Sequence, residues 1–169
     1  MPPSADQLHE LEILIRAHHP LVVVDTVEEE RLHVLLEHAS EHTGLPLFSW
    51  NQVDGLRREL PEQGQTPESG PPQKALAFIE RSNLEAIFHM QGLGPYLHEP
   101  AVIARIKNIR KKYFGHRGAI VVSGTGLDIP PDLEQLFTPF DLGAPSQEAY
   151  HTFVQAVLRD LSNRHSVKV

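Results

Sequence analysis

Three polar residues stand at the ends of three apolar runs: Thr26 after 21–25, Gln91 after 86–90, and Ser123 closing 119–123. If those runs are parallel strands, Thr26, Gln91 and Ser123 converge at the carboxyl ends of a sheet, where open α/β folds bind ligands. Phosphate chemistry at such a place needs a loop of the form G-x-x-x-x-G-K-[S/T], whose backbone N–H groups and lysine surround the anion. The turn after the first run instead reads Asp25-Thr26-Val27-Glu28-Glu29-Glu30-Arg31, and no Gly-Lys pair occurs anywhere in the chain. Three glutamates suit the positive end of a helix dipole but repel the anion that such a terminus otherwise binds. Phosphoryl transfer also requires a cation on the phosphates and a carboxylate for the metal, neither of which stands in the expected place. Thr26, Gln91 and Ser123 are therefore read as satisfying backbone at strand ends, with no cofactor and no nucleotide hydrolysis. The alternative kept beside this is a weak nucleotide binder, or an ATPase with an atypical site.

Other chemistries leave weaker traces. His38 and His42 have the i, i+4 spacing that brings two imidazoles within reach of one ion, but no H-E-x-x-H motif accompanies them. A solvated helix face is the simpler reading, and no metal is expected. His89, inside the third run, reads as a hydrogen-bonded sheet residue rather than a base or ligand. Ser123-Gly124-Thr125-Gly126 resembles part of a phosphate-cradling turn, yet no G-x-S-x-G elbow surrounds the serine. With no cysteine, disulfides, thiolate metal sites and Cys nucleophiles are excluded.

Charge speaks to partners. The balance of 15 basic against 22 acidic residues, a formal −7, argues against general polyanion binding. Its distribution is uneven: between 98 and 118, Arg105, Lys107, Arg110, Lys111, Lys112 and Arg117 oppose Glu99 alone. That stretch, 105–117, is the second alternative function, a nucleic-acid surface acting through counterion release. Without an aromatic platform beyond Tyr113 and Phe114 it reads better as a solvated face or a contact for an acidic protein. The acidic helix start Glu28, Glu29, Glu30 and the basic Arg105, Arg110, Lys111, Lys112 are the candidate partner-binding residues, and their opposite signs permit self-association. The N-terminus has no signal-peptide pattern and no apolar run is long enough to span a bilayer, so a soluble cytoplasmic protein is expected.

The elements that must position these residues follow from periodicity. Helices are predicted over 5–18, 27–42, 73–81 and 99–114 from apolar residues at helical spacing, and a last one over 146–162 begins at the capping residue Ser146. Strands are predicted at 21–25, 45–50, 86–90, 119–123 and 136–141. The stretch 51–72 has no period and is rich in Pro, Gly, Gln and Glu, so it is expected as a long flexible loop. A length of 169 residues fits a single domain, and the alternation of strand and helix implies a three-layer α/β sandwich around a parallel sheet.

Several strings, spread over roughly 20–145, carry a family likeness: 20–31 with its Glu-Glu-Glu-Arg, Trp50 with Asp54-Gly55-Leu56, Pro95-Tyr96-Leu97, and Leu127-Asp128-Ile129-Pro130-Pro131-Asp132-Leu133-Glu134. In their order they resemble the N-terminal domain of a family of AAA-type ATPases found in cyanobacteria, other bacteria and algal plastids. The resemblance implies a P-loop-NTPase-like sheet of order 5-1-4-3-2 with a degenerate phosphate loop, and a motor in a separate domain that follows. Gln91-Gly92 stands where the family's third strand ends in an acidic residue, so no Mg²⁺ ligand is carried over. Whether such a domain stands alone or is part of a longer ATPase is left open by the sequence. The function expected is that of an assembly or regulatory module whose partner is a protein, either an intact AAA ATPase or a second copy.

Overall fold

Short β-branched and aromatic runs buried on both faces form the centre of the molecule, and amphipathic helices cover them. The computed structural model describes residues 5–144 and the separate positions 147, 151, 154, 155, 157–159 and 162, so the expected helix 146–162 lies mostly outside the described residues. In chain order the elements are α1 (Ala5–Arg16), β1 (Leu21–Asp25), α2 (Glu29–Thr43), β2 (Leu47–Asn51), β3 (Gly55–Leu60), β4 (Gly64–Gln65), α3 (Pro72–Ser82) and β5 (Ile87–Gln91). After a 3₁₀ turn at Gly94–Tyr96 come α4 (Pro100–Tyr113), β6 (Ala119–Gly124), the short α5 (Pro131–Glu134) and β7 (Thr138–Pro139).

The sheet runs β4-β3-β2-β5-β6-β1-β7. Five of these strands are mutually parallel, with registers such as Leu47↔Ile87, Ile87↔Ala119 and Leu21↔Ile120. With β3 and β4 set aside, their order is the expected 5-1-4-3-2. Strand alternation divides the core in two. On one face Trp50, Phe88, Met90 and Val122 pack under α3 and α4 through Leu76, Ile79, Ile106 and Ile109. On the other, Val22, Val24, Leu47, Ile87 and Val121 pack under α1 and α2 through Leu11, Ile15, Leu32, Leu35 and Leu36. These are the three layers.

The expectation of a flexible loop over 51–72 is corrected. Asn51 Oδ1 accepts the N–H groups of Val53 and Asp54 at 2.9 and 2.8 Å, closing a turn that reverses the chain into β3. β3 then pairs antiparallel with β2, Trp50 opposite Leu56 and Ser49 opposite Arg57, and β4 adds to its outer edge. Gly55 begins β3 at φ 71°, and a Cβ there would stand 2.7 Å from Ser69 Oγ, so only glycine fits. Ser69 anchors the return: its Oγ accepts Leu56 N–H at 2.7 Å, while its carbonyl accepts the Trp50 indole N–H at 2.8 Å. The strand escapes a period-based reading because it lies toward the sheet edge, where Arg57, Arg58 and Glu59 replace the apolar alternation of an inner strand.

Candidate functional site

The turn between β1 and α2 is where an anion would sit, and it is tied to the loop that follows β6. Asp25 Oδ1 and Oδ2 accept the N–H groups of Gly126 and Leu127 at 2.9 and 3.1 Å. Thr26 N–H donates to the Gly124 carbonyl at 2.8 Å, and Thr26 Oγ1 accepts Glu28 N–H at 2.9 Å. Leu127 fills the space beside the loop, with its Cδ2 2.7 Å from where a Cβ on Gly94 would lie and 3.0 Å from one on Gly124. The cation of this turn, Arg31, is turned onto its own chain: it reaches Glu28 Oε2 at 2.8 Å, the carbonyls of Leu142 and Gly143 at 2.7 and 2.9 Å, and Gln7 Oε1 at 3.1 Å.

Beside this turn, α2 and the β2–β3 hairpin enclose an open cleft of about 470 Å³. Strand alternation that points Ile87 and Val121 into the α2-side core also brings His89 and Ser123 to the strand ends on that side, and the helix meets them with Glu29, His33 and Glu37 spaced four apart. His89 Nε2 lies 2.8 Å from Ser123 Oγ, which donates to Glu29 Oε2 at 2.6 Å. Nδ1 of His89 faces Nδ1 of His33 at 3.4 Å, with the rings stacked 5.7 Å apart. His33 Nε2 is 2.7 Å from Glu59 Oε2 and 3.6 Å from Glu37 Oε1, and the other oxygen of Glu59 accepts the Ser49 hydroxyl. Five carboxylates, Glu29, Glu30, Glu37, Asp54 and Glu59, line the cleft against Arg57 and His33.

Burial pushes the His89 ring below its ordinary pKa, and only partly is this offset by Glu29. Burial raises the Glu29 carboxyl, but the hydrogen bonds from His89 and Ser123 outweigh it and hold the group below the usual carboxylate value. Ser123 and His89 are both fully buried. Neither is placed to attack a substrate or take its proton, and the cleft's sign suits a cation rather than a phosphate.

The expected convergence of Thr26, Gln91 and Ser123 is only partial. Ser123 and Gln91 both meet His89, Gln91 Nε2 at 3.4 Å, whereas Thr26 belongs to the β1–α2 turn. His42 Nδ1 pairs with Glu12 at 2.7 Å, and His38 is half-buried. Among the described residues, the donors that converge as a metal would require are those of His33, Glu37 and Glu59, all within 4.8 Å of one another. The sequence carried that signal in the same i, i+4 spacing, one turn before the histidine pair singled out for it.

Candidate partner residues divide in the same way. Glu28 is engaged by Arg31, Glu29 turns inward, and Glu30 remains exposed at the cleft. On the basic helix Arg105 meets Glu80 at 2.6 Å, Lys107 meets Asp132 at 2.8 Å, and Lys112 donates to the Glu80 carbonyl. Arg117, just beyond, pairs with Glu85 at 3.1 Å, while Arg110 and Lys111 are exposed. No described helix is long and apolar enough to cross a membrane.

Residues 7–142 match the family described as SpoVK-like AAA ATPase, N-terminal domain. The chain is similar to the AAA domain-containing protein ycf46 of Pyropia yezoensis, at 28% identity over 140 residues, covering 81% of this chain and 28% of that protein. Its counterpart in Trieres chinensis is 26% identical over 139 residues, covering 80% and 28%. The chain therefore spans little more than a quarter of the length of these relatives. Among solved structures, C. elegans PCH-2 shares the fold, with a TM-score of 0.60 at 12% identity over 94% of this chain and 47% of that one.

Proposed function

The chain belongs to the family of SpoVK-like AAA ATPase N-terminal domains, and from that premise we propose that it is a non-catalytic module that works by contact with other protein chains. The observation that carries this reading is the seat of Asp25 on the Gly126 and Leu127 N–H groups. A triphosphate at the β1–α2 turn would have to approach Asp25, Glu29 and Glu30, and do so without a lysine. Nucleotide hydrolysis, in this reading, belongs to an AAA motor and not to these residues. The partner is an intact AAA ATPase or a second copy of the chain, met in the cytoplasm through the exposed Glu30 and the exposed Arg110 and Lys111, whose opposite signs orient the encounter. Pairing of Arg105, Lys107 and Arg117 with carboxylates favours a protein surface over nucleic acid, since it removes much of the positive field.

Titration calorimetry with ATP, ADP and GTP, each with and without Mg²⁺, tests the nucleotide half: no saturable heat is expected up to millimolar ligand, and saturable binding overturns it. Sedimentation of the chain alone and mixed with a full-length AAA relative from the same cell tests the contact half. A complex or a concentration-dependent oligomer is expected. A monomer in both experiments contradicts it.

A further inference from the structure

The cleft contains a donor set that the protein-contact reading does not use. His33 and Glu37 stand one turn apart on α2, Glu59 faces them from β3, and one donor atom of each lies within 4.8 Å of the other two. Two of the three are oriented from behind: the second oxygen of Glu59 accepts the Ser49 hydroxyl, and the second nitrogen of His33 faces Nδ1 of the fully buried His89 at 3.4 Å.

Behind His89, Ser123 Oγ lies 2.8 Å from Nε2 and donates to Glu29 Oε2 at 2.6 Å. His33 thus turns Nδ1 toward the protein and Nε2 toward the cleft, 2.7 Å from Glu59 and 3.6 Å from Glu37. Two carboxylate oxygens held within 4.8 Å of each other repel unless a positive charge lies among them.

The geometry points to a divalent transition-metal site formed by His33 Nε2, Glu37 and Glu59, which clips α2 to the β2–β3 hairpin. One imidazole with two carboxylates suits Zn²⁺ or a neighbouring first-row ion better than the all-oxygen shells of Ca²⁺ or Mg²⁺. Zinc bonds of this kind place tetrahedral donors about 3.4 Å apart, between the two His33 separations. A ligating histidine whose other ring nitrogen meets a buried polar side chain, and a ligating carboxylate held by a hydroxyl, are the outer-shell contacts that fix metal ligands. The fourth position opens to the cleft. The ion joins two elements of the fold whether or not nucleotide binds at the neighbouring turn, so the two readings stand or fall separately.

The test uses the full chain, stripped with EDTA and titrated with Zn²⁺ by calorimetry and with Co²⁺ by visible absorption. The expected result is saturable binding of one ion per chain, with a rise in Tm that EDTA reverses. His33→Gln, Glu37→Gln and Glu59→Gln each weaken binding by about tenfold or more, and Ser49→Ala weakens it by about tenfold through the lost outer-shell contact. The Glu37 side chain is 41% exposed, so its variant keeps the fold and makes the comparison decisive. A His38→Gln, His42→Gln double variant binds like the parent. Absence of saturable binding of either ion, as expected if a proton on His33 supplies the positive charge, overturns the site. Undiminished binding by the Glu37 variant, or loss in the His38/His42 variant, overturns it equally.

Discussion

The β1–α2 turn and the cleft beside it lie at the same end of one sheet, both are rich in carboxylates, and they are built in opposite ways. In the turn, Asp25 is folded back onto the N–H groups of Gly126 and Leu127 and Arg31 onto the carbonyls of Leu142 and Gly143. In the cleft, Glu30, Glu37, Asp54 and Glu59 line open space, and the buried His89 and Ser123 act only as supports. Counting charges in the sequence does not separate the two regions. What separates them is whether the carboxylates turn back onto backbone amides or face open space.

The largest way to break this contrast is to loosen, from behind, the hairpin that walls the cleft. Trp50→Ala deletes a buried side chain from the α3–α4 side of the core and the indole bond to Ser69, and is expected to cost about 3–5 kcal/mol in urea unfolding. In the surviving folded state, hydrogen exchange should rise in β3 and leave the Gly126 and Leu127 amides protected. Ser69→Ala strands the Leu56 N–H in the core and should cost about 1–3 kcal/mol, read as a fall in the urea midpoint without a change in slope.

Asp25→Ala acts on the other region. It frees two amides near solvent, so the loss is about 1 kcal/mol, and calorimetry with ATP and Mg²⁺ should still show no saturable binding, because the glutamates and the missing lysine remain. The acid limb sharpens the role of Glu29. Burial alone would raise this carboxyl, but the bonds from His89 and Ser123 lower it below 4.5. Its stabilising contribution is therefore complete above that value and fades as pH falls through the lower folded one. The stability difference between the parent and Glu29→Gln should shrink over that window in urea melts run from neutral to acid pH. The smallest effect belongs to Arg110→Glu with Lys111→Glu: both positions are exposed, and stability should stay within about 0.5 kcal/mol. Salt-sensitive nucleic-acid binding lost in that pair would revive the basic-helix reading.

The five parallel strands and their order were legible because buried strands carry uninterrupted apolar runs, as at 21–24 and 119–122, and because the family resemblance supplied the order. β3 was hidden: Arg57, Arg58 and Glu59 show no apolar alternation, and what holds the strand is Ser69, thirteen residues beyond Leu56. The absence of a Gly-Lys pair was visible, yet the seat of Asp25 was not, since its partners Gly126 and Leu127 lie a hundred residues away. The cleft histidine was missed for a related reason. His33 and His38 look alike in sequence, and only the fold sets His33 opposite Glu59.

The most direct test of the proposal that the β1–α2 turn takes no nucleotide is a ¹H–¹⁵N spectrum of the chain followed during addition of ATP with Mg²⁺ to millimolar concentration. The amides of Glu28, Gly126 and Leu127 are predicted to keep their positions, since Thr26 and Asp25 already hold them. Saturable shifts at those three amides, with release of the Asp25 carboxylate, would contradict the account.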